Sequence, residues 1–162
     1  MGMAYLRGDE DARGIIALAY GMEEGLRGFY AAVGEQTEDP DVAHLARKLS
    51  EIEDRHKQRL FDLFLTLEPG SDDREAFESR AVAEVMEGGY TVEEFLEKNR
   101  EFMATSPDLL NLAMMLETQA LDLYMRYSQK IPDETGKDVL HGLAEEEKGH
   151  LASLGRLLDR RV

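Results

Sequence analysis

The stretch 143–157 reads LAEEEKGHLASLGRL, and the stretch 49–63 reads LSEIEDRHKQRLFDL. Aligned, Leu49 meets Leu143, Glu53 meets Glu147, His56 meets His150, Leu60 meets Leu154 and Leu63 meets Leu157, each pair 94 residues apart. The apolar residues recur at three-and-four spacing, which predicts a helix in each stretch. A carboxylate and an imidazole three apart lie about 60° from each other around a helix axis, so both can grip one metal ion. Alone, the pattern says little. All four histidines of this acid-rich chain have an acid three residues earlier, including Asp41 before His44 and Asp138 before His141. Those last two pairs are offset by 97 and fall out of register. They are expected to be acids at helix starts and exposed histidines.

The offset of 94 extends outward. Glu23 matches Glu117, Tyr30 matches Tyr124, Leu18 matches Leu112 and Ala19 matches Ala113. The chain therefore reads as two helical hairpins of one pattern joined by a crossover. One domain of residues 1–162 is expected, with repeat one over 11–67, the crossover over 68–105 and repeat two over 106–160. The long helices are expected over about 11–36, 41–67, 106–130 and 134–158. Asp9 or Asp11 would cap the first, Asp39-Pro40 and Pro69-Gly70 bound the second, and Ser106-Pro107 opens the third with Ser106 as its cap. In the crossover, Ser71-Asp72-Asp73 could cap a short helix carrying Phe77, Ala81, Val82, Val85 and Met86, which Gly88-Gly89 would stop. Thr91 and Glu94 have capping-box spacing and could open another with Phe95, Leu96 and Phe102. These phenylalanines could pack on the bundle or on a second chain. The crossover carries no metal-ligand or catalytic pattern.

Composition narrows the function. The 162 residues include no cysteine, which excludes disulfides, thiolate metal sites and a cysteine nucleophile, and fits a reducing compartment. The formal net charge of −15 argues against unspecific nucleic-acid binding. The longest nearly apolar stretch, Gly14 to Met22, is far too short for a membrane span. Without a secretory pattern at the N-terminus, a cytoplasmic protein is expected. The start lies almost directly on a helix, as in one domain of a longer protein.

Glu23, Glu53, Glu117 and Glu147 all lie inside apolar stripes. A buried ionised carboxylate is costly unless paired or bound to metal. No Lys or Arg stands at the matching stripe positions, which makes metal the better partner. Four carboxylates balance two divalent cations, and two neutral imidazoles leave the cluster electroneutral. The alternative is a metal-free bundle with unusually placed acids. Tyr30 and Tyr124 follow Glu23 and Glu117 by seven residues. They would pack in the core with a hydrogen-bonded hydroxyl, or serve beside the metals. Met22, Met114, Met115 and Met125 read as core filler.

The segments MEEGLRGFY (22–30), EDRH (53–56), LETQALDLY (116–124) and EKGH (147–150) resemble the rubrerythrin branch of the ferritin-like superfamily. The resemblance covers the four long helices and not the crossover. It implies an all-α, ferritin-like antiparallel four-helix bundle with one long crossover. It further implies a non-haem diiron centre held by Glu23, Glu53, His56, Glu117, Glu147 and His150. Glu53 and Glu147 would bridge, and Glu23 and Glu117 would be terminal. Oxygen and imidazole ligands suit iron or manganese, and zinc would also bind. Two departures are visible. Rubrerythrins commonly carry a cysteine-ligated iron site, so electrons here would come from an external donor protein. They also commonly have a further glutamate three residues after the third-helix ligand, where this chain has Ala120 and, in the other repeat, Leu26. The expected activity is reduction of peroxide or O2. Ferroxidase or iron handling, and a metal-binding redox-sensing module, are the alternatives. A homodimer is expected.

Overall fold

The computed structural model describes residues 11–70, 73–82 and 91–162. Among them are six α-helices and no strand: α1 (Ala12–Gln36), α2 (Pro40–Leu67), α3 (Arg74–Val82), α4 (Val92–Lys98), α5 (Ser106–Lys130) and α6 (Glu134–Asp159). A 3-10 turn spans Arg100–Met103. No helix among them is long and apolar enough to cross a membrane.

The four long helices fall where the apolar periodicity places them, because each end carries its own stop and start chemistry. The Asp11 carboxylate accepts from the Gly14 amide at 2.8 Å and caps α1. Asp39 caps α2 by accepting from the Asp41 and Val42 amides, and Pro40 fills the first position, where no amide is needed. Asp133 caps α6 through the Gly136 amide. At α5 the structure moves the cap by one residue. Thr105, not Ser106, accepts from the Asp108 amide through its hydroxyl oxygen, and the Asp108 carboxylate accepts from the Thr105 amide. Ser106 instead begins the helix and its hydroxyl donates to Asp39 at 2.9 Å.

That last bond helps to set the topology. Asp39, in the α1–α2 turn, also accepts from Arg161 Nε and Nη2, both at 2.7 Å. The end of α1, the start of α2, the start of α5 and the end of α6 therefore meet at one end of the bundle. The turns 37–39 and 131–133 are three residues each, so α1/α2 and α5/α6 are antiparallel hairpins. Since α2 finishes at the far end, its last residue and the start of α5 lie a bundle length apart. The hairpins meet where α1 packs on α5 and α2 on α6.

The described helices of the crossover, α3 and α4, lie on the bundle. Phe77 of α3 is buried among Tyr20, Phe61 and Phe64, with ring centroids 5.0, 5.5 and 4.5 Å away. Gly21 permits this approach, since a Cβ there would stand 2.9 Å from the Ala81 carbonyl oxygen. Phe95 of α4 is buried beside Phe29. Phe102 is not part of α4. Asn99 ends that helix, with its side-chain amide donating to the Phe95 carbonyl, and Phe102 stands 64% exposed on the 3-10 turn. Met115 and Met125 are likewise exposed rather than core filler, while Met22 and Met114 pack against the core. Asp9, Ser71-Asp72, Val85, Met86 and Gly88-Gly89 lie outside the described residues, as does the side chain of Val82.

Phe77→Ala should destabilise the protein by about 3 kcal/mol, the usual cost of emptying a buried aromatic site. Urea unfolding measures it. A loss below about 1 kcal/mol would mean that α3 is not part of the cooperative unit.

Candidate metal centre

Each long helix contributes to one buried cluster at the middle of the bundle. Glu23 comes from α1, Glu53 and His56 from α2, Glu117 from α5, and Glu147 and His150 from α6. All four glutamates and His56 are fully buried, and His150 nearly so. His44 and His141, the out-of-register histidines, are exposed as expected.

The six side chains form two groups that could each hold a metal ion. One is Glu23, Glu53, His56 and Glu147, and the other is Glu53, Glu117, Glu147 and His150. Glu53 and Glu147 belong to both. His56 Nδ1 lies 2.9 Å from Glu53 Oε2, 3.1 Å from Glu147 Oε1 and 3.5 Å from Glu23 Oε2. His150 Nδ1 lies 3.2 Å from Glu53 Oε1, 3.2 Å from Glu147 Oε2 and 3.4 Å from Glu117 Oε1. Each shared carboxylate thus turns one oxygen to each imidazole. The two rings stack 11° from parallel, 5.4 Å apart.

These close distances are not hydrogen bonds. Both Nδ1 atoms, both oxygens of Glu53 and Glu147, and one oxygen each of Glu23 and Glu117 are buried without a hydrogen-bond partner. Such orphaned groups are rare in a native interior, because each forfeits its hydration. Here the residues that carry them offer one ligand atom each within 4.8 Å of the others in both groups, close enough to share an ion. Ligands about 2.1 Å from an octahedral ion are about 3.0 Å apart along each edge, and the imidazole–carboxylate distances run from 2.9 to 3.5 Å. An all-oxygen-and-imidazole donor set of this kind fits a hard or borderline divalent ion.

The remaining oxygens of Glu23 and Glu117 are held by the tyrosines, crosswise. Tyr124 donates to Glu23 Oε1 and Tyr30 to Glu117 Oε1. Each hairpin's tyrosine therefore orients the other hairpin's glutamate. Burial, then the nearby carboxylates, pushes both phenol pKa values well above 10, so both hydroxyls keep their protons.

Without metal, protons neutralise the cluster. Burial, then the charges of Glu53 and Glu147, raises Glu23 well above the usual carboxylate range. Burial and the contact with Glu147 do the same to Glu117. Burial would lower His150, but Glu117, Glu147 and Glu53 outweigh it and hold its pKa up at about 12. His56 is raised likewise, against burial, by Glu147, Glu23 and Glu53. Burial would raise Glu53 and Glu147, but their contacts within the cluster, those to the imidazoles among them, bring both below the usual range.

Two nearby arrangements were not visible in the sequence. Glu146, which only flanks the apolar line of α6, reaches His56 Nε2 at 2.7 Å. Arg59 donates to the same carboxylate. Separately, Lys57 is buried one residue beyond His56, with Nζ 2.6 Å from Glu24 and 5.3 Å over the Tyr20 ring. Arg27 donates to both oxygens of Glu24, sharing Oε2 with Lys57. No sequence signal marked Lys57, since its partner Glu24 stands 33 residues away.

No family model matches the sequence, and no curated protein matches it. A solved structure of a hypothetical protein from Pyrococcus furiosus is similar, with a TM-score of 0.68 and 22% identity over 94% of this chain and 91% of that one. That likeness concerns the fold alone.

Proposed function

We propose that this chain is a ferritin-like, non-haem diiron protein of the rubrerythrin branch that reduces peroxide or O2. One observation carries the reading: the six side chains that hold eight orphaned buried atoms also form two ligand groups, which share Glu53 and Glu147. Glu23 and His56 would hold one ion, Glu117 and His150 the other, and Glu53 and Glu147 would bridge them. When bound, the two iron ions would supply the two electrons that reduction of peroxide requires. Manganese or zinc could occupy the same donors. The protein's own contribution is to fix the six ligands in a dry interior and to orient the terminal carboxylates. Tyr30 and Tyr124 keep a proton at each hydroxyl, hydrogen-bonded to Glu117 and Glu23. Re-reduction would draw on an external electron-donor protein, because the chain has no cysteine to hold a relay of its own. A homodimer in the cytoplasm completes the proposal.

Protein purified from iron-supplemented cells should carry two irons per chain, with two anomalous peaks at the iron edge. Fewer than one metal per chain would sink the dinuclear reading. The reduced, iron-loaded protein should then gain near-ultraviolet absorption on mixing with peroxide. No rise faster than that of Glu53→Ala would remove the peroxide chemistry. Uptake that stops at two irons excludes storage.

A further inference from the structure

The ligand set is symmetric, but the support behind it is not. His56 turns its second nitrogen, Nε2, to Glu146 Oε2 at 2.7 Å, and Arg59 donates to the other oxygen of that carboxylate. Gly142 leaves room for Arg59, since a Cβ there would stand 2.8 Å from the guanidinium Nη2. At the 94-residue offset, Glu146 corresponds to Ile52, Arg59 to Ser153 and Gly142 to Lys48. None of these can rebuild the pair. Among the described residues, no hydrogen bond reaches His150 Nε2.

A carboxylate on the far nitrogen fixes a histidine ligand's tautomer and ring orientation and makes the ligating nitrogen more basic. Arg59 in turn fixes the carboxylate. The geometry points to Glu146 as a positioning residue that makes the two metal positions unequal. The Glu23–His56 position binds first and more tightly, and the Glu117–His150 position fills second and exchanges faster. This rests on the dinuclear reading above. It supplies an order of loading that the symmetric ligands by themselves do not.

The test uses manganese alone as probe. Chelator-treated native protein is titrated with Mn2+ and crystals at limiting Mn2+ are read by anomalous occupancy. Two unequal steps are expected, with the ion beside His56 filling first. Glu146→Ala should weaken that step by roughly tenfold or more and leave the His150 step unchanged. Glu146→Gln keeps an acceptor for the imidazole N–H and should fall between the two. Ile52→Glu, at the matching place in the other repeat, should strengthen the His150 step. Glu146 is half-exposed, so the fold should survive its replacement, and a thermal melt of each chelated variant checks this. Equal steps in the native protein, or unequal steps that Glu146→Ala leaves unchanged, overturn the inference and leave the dinuclear reading intact. A native chain that takes up no manganese overturns both.

Discussion

Uptake of two divalent ions by the metal-free protein should release close to four protons and tighten steeply with pH. The reason is the balance of charge in a buried cluster. Without metal, Glu23 and Glu117 keep protons because burial and neighbouring carboxylates disfavour their ionised forms. His56 and His150 are protonated because the surrounding carboxylates outweigh burial. Glu53 and Glu147, ionised, balance the two imidazolium charges. The cluster is then neutral. Ligation needs ionised carboxylates and neutral imidazoles, so two divalent ions replace four protons and neutrality is kept. While all four groups hold their protons, each pH unit should raise the product of the two affinities by about four powers of ten. Calorimetry in two buffers of different ionisation enthalpy measures the number released, and fewer than two would refute the scheme.

The same protons set the stability of the chelated protein. Glu23 and Glu117 are raised in the fold, so their contribution is complete below about pH 4.5 and declines as pH climbs toward their folded values. The imidazoles behave alike from about pH 6.5 upward. Glu53 and Glu147 are depressed, and their contribution is lost on acidification instead. Melting of the chelated protein should therefore fall from pH 6 to pH 9. The metal-loaded protein, whose ligands no longer carry those protons, should show little of that fall.

The architecture was legible because the long helices carry more than one signal. The apolar stripe gives each its face, Asp11 and Asp39-Pro40 mark two starts, and Ser106-Pro107 comes within one residue of a third. The six-residue cluster was legible for another reason. Duplication writes a constraint twice, and an offset shared by Glu23, Glu53, His56 and Tyr30 is hard to obtain from composition. What escaped was contact between distant faces. Lys57 reads as part of the wet side of α2, yet α3 closes over it and brings Glu78 within 3.6 Å. Tyr20 sits off the main stripe of α1, yet it is fully buried, because α3 rests there and Glu78 accepts its hydroxyl. Glu146 is half-exposed and reads as a solvated acid, and only the crossing of α2 and α6 places it on His56. The Thr105 cap was missed for a local reason: Ser106-Pro107 offers an equally good pattern one residue later, and the reciprocal bond with Asp108 decides between them.

Glu53→Ala and the pair Glu23→Gln/Glu117→Gln should separate the binding role of these acids from their burden on the fold. Glu53 faces both imidazoles, through different oxygens. Its removal should reduce metal capacity from two ions to at most one and weaken what remains. Glu23→Gln alone touches only the His56 group and should leave one ion beside His150. Two sites at free metal a hundredfold above Kd stabilise a fold by about 5 kcal/mol together, which corresponds to roughly 10–20 °C in Tm for a chain of this size. Glu53→Ala should lose most of that metal-induced rise. In chelator the order should change. Glutamine keeps an acceptor for the Tyr124 and Tyr30 hydroxyls and never has to take up a proton on folding. At pH 8 the metal-free double glutamine variant should therefore melt above metal-free native protein, while the loaded native protein melts above both. A double variant that binds two ions as the native chain does, or that melts below it in chelator, would show that these buried carboxylates are held in place by something other than metal.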